Sequence, residues 1–273
     1  MKIFDVHTHI YPDNIAGRAV DALGRFYDFV PEGDGTYNDM TEADRRCKVN
    51  GFLILAVATN AHQIRRVNES AAAALERGRA DGFEAYAFGG LHPCDDMKAE
   101  IDFCLEHGLS GIKLHPDIQG VDIDDPRLYP LYEEAEGRFP VYFHTGDDRP
   151  QYRFSAPEKL VKVMRDFPRL TAVAAHFGGY KANEEAVRYL CGCERIWFDT
   201  SSALWTMTPE EADAIISRLG VSRMMFGTDY PVKLPDTELP RFFRLRLTDK
   251  ETEDVLYNNA KTLLSASRSK DRV

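Results

Sequence analysis

Two histidines near the start of the sequence stand where they can bind one metal ion together. His7 and His9 lie two residues apart in the apolar run 3–9, which has the composition of a β-strand. Side chains two residues apart on a strand point to the same side, so both imidazoles can reach one ion. In isolation, a pair of hydrogen-bonded core histidines explains this spacing equally well. Two ligands are half of a site, and the others must come from elsewhere in the chain.

Further polar residues stand at the ends of later apolar runs. His144, His176 and Asp229 each end one of these runs. Several imidazoles with a carboxylate form the ligand set of a zinc-like divalent ion that keeps an open position. Metal binding is therefore favoured over a structural role, provided that the fold brings these ends together. The alternative for Asp229 is a buried turn carboxylate bonded to backbone amides.

The elements that must position these residues follow a regular rhythm. Eight short apolar runs rich in β-branched or aromatic residues alternate with polar or helical sequence: 3–9, 52–59, 84–92, 111–115, 141–144, 170–176, 195–200 and 223–229. A step of roughly 25 to 30 residues after the second strand predicts an α/β fold, a (β/α)₈ TIM barrel, with a doubly wound open sheet as the alternative. In a barrel the carboxyl ends of all strands meet at one mouth, and six of the eight histidines lie at such ends.

Helices are predicted between most of these strands. Apolar residues recur at three- and four-residue spacing in 61–79, 97–107, 128–138, 157–167, 183–190 and 209–219. Thr208 with Glu211, and Thr248 with Glu251, form capping boxes, the second of which begins a helix over 248–265. Gly108 and Gly220 stand where helices are expected to end.

We expect residues 1–273 to form a single barrel domain with two departures from the rhythm. Residues 10–51 are a long insertion after the first strand, with aromatic side chains among prolines, glycines and acids. Loops of this length are usually functional, so we interpret the insertion as a lid over the barrel mouth. A peripheral insertion packed on its own aromatics is an equal alternative. Residues 266–273 are a polar tail that we expect to fray.

Composition limits the partners and the location. The formal net charge of −10 argues against nucleic acid, because phosphate backbones require a basic face. No run of 18 apolar residues is present, so membrane insertion is not expected. The chain enters its first strand without a signal-like region, and its five cysteines lack framework spacing, which together predict a cytoplasmic protein with reduced thiols. The expected partner is a small-molecule substrate. A homodimer is compatible with a barrel, although no stretch predicts an interface.

Taken together, six motifs resemble the amidohydrolase superfamily, and within it the amidohydrolase-2 branch of metal-dependent hydrolases and non-oxidative decarboxylases. They are Asp5-Val6-His7-Thr8-His9, Gly111-Ile112-Lys113-Leu114-His115-Pro116, Phe143-His144-Thr145-Gly146, Ala175-His176-Phe177-Gly178-Gly179, Gly227-Thr228-Asp229-Tyr230-Pro231 and Asn259-Ala260. The resemblance covers nearly the whole chain. It implies a (β/α)₈ barrel with a divalent ion held by His7, His9, His144 and Asp229, and with His176 beside the metal.

The chemistry expected of such a site is general acid–base catalysis next to a metal. A bound divalent ion lowers the pKa of coordinated water from about 15.7 to about 7 and polarises a carbonyl. Asp229 can accept the proton of the attacking water and later give it to the leaving group. His176 can stabilise the oxyanion that forms on the substrate. We expect zinc, with manganese as the alternative, and one ion per chain.

Lys113 and His115 are predicted to share one face of the fourth strand, pointing inward. In binuclear members of the superfamily a lysine on this strand is carboxylated and bridges two metals. Lys113, His144 and His176 can build such a second site, which would raise the count to two ions. The mononuclear alternative, which we favour, makes Lys113 a substrate-facing cation or the partner of a neighbouring acid. His115 and His92 are candidates for substrate contact or for support of the ligands, and a hydrogen-bonded structural histidine is at least an equal alternative for His92.

Two arginines follow His144 in the loop 146–153. Arg149 and Arg153 can bind a substrate carboxylate through paired donors. Surface ion pairs with Asp147 and Asp148 are the more ordinary interpretation.

The sequence therefore predicts a metal-dependent hydrolase of a small-molecule amide, lactone or ester. A non-oxidative decarboxylase of a small unsaturated or aromatic acid is the first alternative, since it needs the same ligands. A non-catalytic barrel that binds metal or ligand is the second, although a purely structural ion would normally have every position closed by protein.

Overall fold

Eight parallel strands and the helices between them form the molecule, as seen in a computed structural model that describes residues 1–266. The strands are β1 (Phe4–Thr8), β2 (Gly51–Leu55), β3 (Glu84–Gly90), β4 (Ile112–Leu114), β5 (Val141–Phe143), β6 (Ala172–Ala174), β7 (Ile196–Asp199) and β8 (Met224–Met225). They pair in sequence order, each parallel to the next. The predicted α/β barrel is confirmed, and the open-sheet alternative is excluded.

Contacts between the two outermost strands nearly close the barrel. The amide of Val6 donates to the carbonyl of Phe226 at 3.0 Å, and the amide of Asp229 donates to the carbonyl of His7 at 2.9 Å. Thr8 and Tyr230 form an additional parallel bridge. Asp229 is thereby fixed beside His7 by backbone bonds, before any side-chain contact is considered.

The helices are α1 (Asp13–Tyr27), α2 (Tyr37–Cys47), α3 (Ile64–Ala80), α4 (Met97–Glu106), α5 (Pro116–Gln119), α6 (Tyr129–Ala135), α7 (Pro157–Asp166), α8 (Asn183–Leu190), α9 (Pro209–Leu219), α10 (Pro235–Phe242), α11 (Asp249–Glu253) and α12 (Asn259–Ala266). Both predicted capping boxes are present at the starts of α9 and α11. Gly108 and Gly220 follow α4 and α9 with positive φ, as expected of residues that end helices.

Inward-facing side chains of alternate strand positions fill the barrel. Phe4 and Val6 of β1 pack there with Leu53 and Leu55 of β2 and with Tyr142 of β5, and all five are buried. Ala260, Leu263 and Leu264 of α12 belong to the same cluster. The barrel interior is thus a packed core, and a ligand is expected beyond the strand ends.

Several predicted boundaries were wrong. The polar residues predicted as the last residues of five strands lie on the loops that follow those strands. They are His92 after β3, His115 after β4, His144 after β5, His176 after β6 and Asp229 after β8. Residues 10–51 are not an irregular loop, because they contain α1 and α2. The helix α10 was not predicted at all. The helix predicted over 248–265 is interrupted by a π-helical segment, Asp254–Asn258, between α11 and α12.

Two further points concern the chain as a whole. Within the described part of the chain, no helix is both long enough and apolar enough to cross a membrane. Of the tail that was expected to fray, residues 267–273 lie outside the described residues.

Candidate active site

Three side chains at the barrel mouth point their ligand atoms at one another. His7 Nε2 lies 3.1 Å from His9 Nε2. Asp229 Oδ1 lies 3.2 Å from His7 Nε2 and 3.5 Å from His9 Nε2. All three residues are buried. We refer to His7, His9 and Asp229 as the ligand group.

A bulge in β1 turns His7 toward the barrel interior. Between Asp5 and Thr8 the strand advances three residues while β2 advances two, from Phe52 to Ile54. Regular alternation would place His7 on the same side as Asp5, away from the packed interior, and the extra residue reverses this. The Asp5 carboxylate fixes the bulge, because it accepts the amide of His7 at 3.0 Å and the hydroxyl of Thr228 at 2.5 Å. Asp5 therefore links β1 to the loop that carries Asp229.

Hydrogen bonds behind the two imidazoles determine which nitrogen carries the proton. His7 Nδ1 lies 2.9 Å from Asp199 Oδ2, and His9 Nδ1 lies 2.7 Å from the carbonyl of Leu55. Both partners accept, so each Nδ1 donates and each Nε2 presents a lone pair. Burial lowers the pKa of His7 to about 3, which keeps its ring neutral.

These donors fit a divalent metal ion. Two nitrogen lone pairs and a carboxylate oxygen face one another without a hydrogen between them, which is unfavourable unless a cation joins them. The spacing of the three atoms suits an ion with bonds of about 2.0–2.2 Å to each. The loop holds Asp229 at a φ of 63°, a conformation that few residues other than glycine, asparagine and aspartate adopt. Ser202 donates to Asp229 Oδ2 at 2.5 Å and fixes the second oxygen.

His144 lies outside the ligand group. Its Nδ1 is 3.0 Å from His176 Nε2, and its ring stacks on His115 with centroids 4.0 Å apart. His176 Nδ1 in turn lies 2.9 Å from the carbonyl of Ser201. Because that carbonyl accepts, His176 Nδ1 donates, His176 Nε2 accepts from His144 Nδ1, and His144 Nε2 is left with a lone pair. This is the tautomer that a metal ligand at Nε2 requires. Both nitrogens of His176 are used within the protein.

Tyr27, at the last position of α1, reaches into the site. Its hydroxyl lies 3.0 Å from His115 Nε2 and 3.3 Å from His144 Nε2. The ring packs against Tyr180 and Phe29, with centroids 5.2 and 6.0 Å away. Burial raises the pKa of Tyr27 well above its usual value, so the hydroxyl keeps its proton.

Lys113 is buried beneath the ligand group. Its Nζ lies 3.5 Å from His7 Nε2 and 4.7 Å from the centre of the Tyr142 ring. No carboxylate oxygen of residues 1–266 lies within 4.0 Å of it; Asp199 and Asp229 act on it only through space. Burial lowers the pKa of Lys113 to about 8.

Arg149 and Arg153 do not face the site. Arg149 forms a two-pronged ion pair with the buried Asp147 at 2.7 and 2.8 Å. Arg153 pairs with Glu185 at 2.6 Å and Glu158 at 2.9 Å. Their predicted role as substrate ligands is therefore not supported by position. The acids that Arg153 uses differ from the predicted Asp147 and Asp148.

A cavity of about 310 Å³ lies above the ligand group. His7, His9, His115, His144, His176 and Asp229 all contribute to its walls, whereas His92, Lys113, Arg149 and Arg153 do not. The 10–51 segment supplies much of the remaining wall through Tyr11, Ala19, Ala22, Leu23, Phe26, Tyr27 and Phe29. Within residues 1–266, no lysine and no arginine belongs to this lining.

Two further groups of potential ligands adjoin the site. His7, His176 and Asp199 lie within 4.8 Å of one another, as do Asp117, His144 and Asp147. The carboxylates of both groups already have partners, since Asp199 accepts from His7, Asp147 from Arg149 and Asp117 from Ser155. Neither group therefore offers a set of unpaired ligand atoms that face one another, as the ligand group does.

Sequence reasoning missed several residues that shape the site. Asp199 could have been predicted from the sequence, because it stands at the end of a strand as the predicted ligands do. Ser202 and Asp117 follow strands β7 and β4 in the same way. Tyr27 was expected only as one of the aromatic side chains of the 10–51 segment, which was interpreted as a lid, because the spacing of the strands does not give its position in the site.

The amidohydrolase-2 family model, described as "Amidohydrolase", matches residues 4–265. No curated protein matches the sequence.

The solved structures that are similar to the chain over nearly all of both lengths include the following three. An uncharacterised TIM-barrel protein from Bordetella bronchiseptica is 24% identical, covers 98% of this chain and 100% of its own, and superposes with a TM-score of 0.79. A dihydroxybenzoic acid decarboxylase from Polaromonas sp. JS666, with bound manganese and the inhibitor 2-nitroresorcinol, is 15% identical, with 99% coverage of both chains and a TM-score of 0.73. A putative 2-pyrone-4,6-dicarboxylic acid hydrolase from Pseudomonas putida is 17% identical, with 97% coverage of both and a TM-score of 0.68. Because these identities are 24% or lower, the similarity shows only that the fold is shared.

Proposed function

The chain is an enzyme that belongs to the amidohydrolase-2 family, and on that premise we propose that it is a metal-dependent hydrolase of a small, uncharged and largely apolar amide, lactone or ester. The proposed cofactor is one divalent ion per chain, zinc in preference to manganese.

The observation that carries the proposal is the lining of the cavity. The described lining combines aromatic and aliphatic walls with a floor formed by the ligand group, and it contains neither lysine nor arginine. A substrate with charged groups away from the metal would lose its hydration there without gaining a cation. A neutral carbonyl compound loses far less, because it has only one or two acceptors to satisfy. The cavity therefore favours neutral substrates over dicarboxylates.

The residues of the ligand group have distinct parts in this proposal. When bound, a divalent ion supplies a Lewis acid that polarises the carbonyl and makes water acidic. His7 and His9 hold the ion through Nε2, and Asp199 and the Leu55 carbonyl keep those atoms free of protons. We propose His144 as a further ligand, since its Nε2 carries a lone pair.

Proton transfer is assigned to Asp229. The proton of the attacking water passes to the Asp229 carboxylate, and the same carboxylate later gives it to the departing oxygen or nitrogen. Ser202 holds Oδ2 in a fixed direction at 2.5 Å throughout. His176 has both nitrogens engaged, so we propose that it acts by orienting His144, with a direct role at the oxyanion as the alternative.

Decarboxylation of a small aromatic monocarboxylic acid is the second candidate. Two observations favour it: the aromatic walls of the cavity and the likeness to a dihydroxybenzoic acid decarboxylase that binds manganese. In that reaction the ring carbon would take up a proton, with His176 managing the protonation, as the bond to the carboxyl group breaks. The carboxyl group would leave as neutral carbon dioxide, and an apolar cavity disfavours carbon dioxide less than the bound acid.

Metal content and product analysis together test the proposal. We expect about one ion per purified chain and its loss in His7→Ala. Two ions would instead indicate a carboxylated Lys113. Wild-type protein loaded with zinc or manganese should hydrolyse neutral aryl and alkyl esters, lactones or amides. We expect Asp229→Asn to lower kcat by about 10²–10⁴.

Two other results would favour the decarboxylase or the non-catalytic barrel. Release of carbon dioxide from aromatic acids, without hydrolysis of any neutral substrate, would establish the decarboxylase. A turnover that Asp229→Asn leaves unchanged would contradict the assigned chemistry and return the non-catalytic barrel to consideration.

A further inference from the structure

The hydroxyl of Tyr27 lies at the centre of a chain of hydrogen bonds between residues that line the cavity. It is 3.0 Å from His115 Nε2 on one side and 3.3 Å from His144 Nε2 on the other. The chain continues from His144 through His176 to the carbonyl of Ser201. Tyr27 is the one member that comes from the 10–51 segment; the others follow strands β4 to β7.

Backbone groups at both ends give this chain a single direction. At one end, the amide of Ile118 donates to His115 Nδ1 at 3.4 Å, so His115 carries its proton on Nε2 and donates to Tyr27. At the other end, the Ser201 carbonyl accepts, which leaves His144 Nε2 as an acceptor. Tyr27 therefore accepts from His115 and donates toward His144.

The donated bond is the weaker one and faces the substrate space. A distance of 3.3 Å is beyond the usual range for a hydroxyl donor. Tyr27 lines the cavity together with His144 and Asp229. When His144 Nε2 gives its lone pair to the proposed metal ion, the Tyr27 hydroxyl needs another acceptor. A substrate oxygen in the cavity can then take that place, while the bond from His115 remains.

We propose that Tyr27 is a catalytic residue that α1 brings to the site, and that its hydroxyl donates a hydrogen bond to the carbonyl oxygen of the substrate. This inference rests on the proposed hydrolase function. As the water oxygen bonds to the carbonyl carbon, the π electron pair moves to the carbonyl oxygen, and Tyr27 stabilises that charge without losing its proton. When the carbonyl re-forms, the leaving group departs with its bonding pair and takes the proton held by Asp229.

His115 is a positioning residue in this arrangement. Its Nε2 donates to the Tyr27 oxygen, which orients the hydroxyl and polarises its hydrogen toward the next acceptor. Stacking on His144 at 4.0 Å limits rotation of the His115 ring. His115 acts on the substrate through Tyr27.

Arg149 holds Tyr27 in place from outside the cavity. Its guanidinium donates to the carbonyl of Phe26 at 2.5 Å and lies 5.1 Å from the centre of the Tyr27 ring. The buried Asp147 fixes the same guanidinium from the β5 side. The position of the Tyr27 hydroxyl thus depends on the docking of α1 against the barrel.

Tyr27→Phe tests the proposal in the metal-loaded enzyme, with Tyr129→Phe as the matched control. The control also removes a tyrosine hydroxyl, but Tyr129 donates its hydrogen bond to Asp166 on the outer surface. We expect Tyr27→Phe to lower kcat by about 10²–10³ with KM within about threefold, as for loss of one oxyanion donor, and Tyr129→Phe to match the wild type. A rise in KM alone, or no change at all, would overturn the catalytic role.

His115 is tested by rescue. His115→Phe should lower kcat, and His115→Gln, which keeps a side-chain N–H donor, should recover part of the loss. The kcat of the double variant Tyr27→Phe/His115→Phe should be no lower than that of Tyr27→Phe, because each change acts through the same hydrogen bond from the Tyr27 hydroxyl to the substrate. Additive losses would contradict a role through Tyr27.

An independent readout needs no turnover. Imidazole nitrogen spectra of the metal-free protein should show His115 protonated on Nε2 and His144 on Nδ1, and both signals should shift in Tyr27→Phe but not in Tyr129→Phe. The opposite tautomers would overturn the proposal. If the wild type hydrolyses no neutral substrate, the proposed function fails and the role of Tyr27 fails with it. If the wild type is active and Tyr27→Phe is equally active, only the role of Tyr27 fails.

Discussion

Asp199 Oδ2, at the end of β7, accepts a hydrogen bond from Nδ1 of His7 in β1 at 2.9 Å. The same carboxylate accepts the hydroxyl of Ser201 at 2.6 Å and the amide of His176 at 3.0 Å. Burial acts to raise the pKa of Asp199, but its contacts with His7 and Ser201 outweigh that effect and hold it well below the usual range. One buried anion therefore fixes the tautomer of a proposed ligand and the backbone of His176.

We expect Asp199→Asn to weaken metal binding by about 10–100-fold, because the amide no longer enforces a proton on His7 Nδ1 and a free lone pair on Nε2. Competition with a chromophoric chelator measures the affinity. Asp166→Asn, at a surface carboxylate, is the control and should bind as the wild type does. Equal affinities in all three proteins would show that Asp199 does not orient His7.

The sequence predicted the fold and the strand-end residues for one physical reason. In a parallel barrel the rhythm of strands determines which residues share the mouth, so His7, His9, His144, His176 and Asp229 were found together without knowledge of any contact. Asp199 obeys the same rule, since it is the last residue of β7, but it was not predicted.

Residues on the connecting segments could not be placed in this way. The helix α1 presents Ala19, Leu23 and Phe26 to the cavity at helical spacing, but Gly17 and Gly24 obscure the pattern. Arg149 and Arg153 were predicted near the barrel mouth because they lie in the loop after β5. In the structure they form ion pairs with Asp147 and Glu185 and do not face the site. Spacing along the chain contains no information on such long-range pairing.

Arg149→Met should loosen α1. The arginine contributes a charge-assisted bond to the carbonyl of Phe26 and lies on the rings of Phe26, Tyr27 and Tyr152 at 4.8, 5.1 and 4.2 Å. Loss of about 1–3 kcal/mol of such contacts predicts amide hydrogen exchange in α1 that is roughly 10–100-fold faster.

Arg153→Met is the matched control for this change. It removes an arginine from the same loop that pairs with Glu158 and Glu185 and not with α1. We expect its α1 amides to exchange at the wild-type rate. Equal acceleration in both variants would mean that the loop, rather than the contact of Arg149 with α1, controls the helix.

Glu238 makes stability depend on pH at a site remote from the cavity. Its carboxylate accepts from Arg241 at 2.8 Å, while Oε2 is buried and without a partner in the described part of the chain. Burial raises the pKa of Glu238 from 4.5 to about 7. The folded protein therefore binds this proton more tightly than the unfolded chain, and its free energy of unfolding falls as pH rises from about 4.5 to about 7.

We expect Glu238→Gln to raise the free energy of unfolding at pH 8 by about 1–3 kcal/mol, and to have little effect near pH 4, where both states of the wild type are protonated. Denaturant titrations at the two pH values measure the difference. Glu42→Gln, at an exposed position of α2, controls for the loss of one charge. A destabilised Glu238→Gln at pH 8 would show that the bond to Arg241 outweighs the burial of the charge.

Gly146 and Gly179 bring the loops after β5 and β6 into backbone contact. A Cβ on Gly146 would lie 2.6 Å from the Cα of Gly179 and 3.0 Å from the amide nitrogen of Tyr180, and Gly146 itself has a φ of +70°. Gly82 has a φ of +88° but nothing within 4 Å of a Cβ. Alanine at either position adopts a left-handed conformation at a cost of about 1–2 kcal/mol, whereas only Gly146→Ala also forces two backbones apart.

The difference between Gly146→Ala and Gly82→Ala therefore isolates the contact between the loops. We expect Gly146→Ala to be less stable than Gly82→Ala by about 1–3 kcal/mol in denaturant unfolding. Since the two loops carry His144 and His176, whose nitrogens are 3.0 Å apart, Gly146→Ala should also lower metal affinity, and Gly82→Ala should not. Equal stabilities and equal affinities in the two variants would mean that the loops can separate freely, and the fixed orientation of His144 would then need another cause.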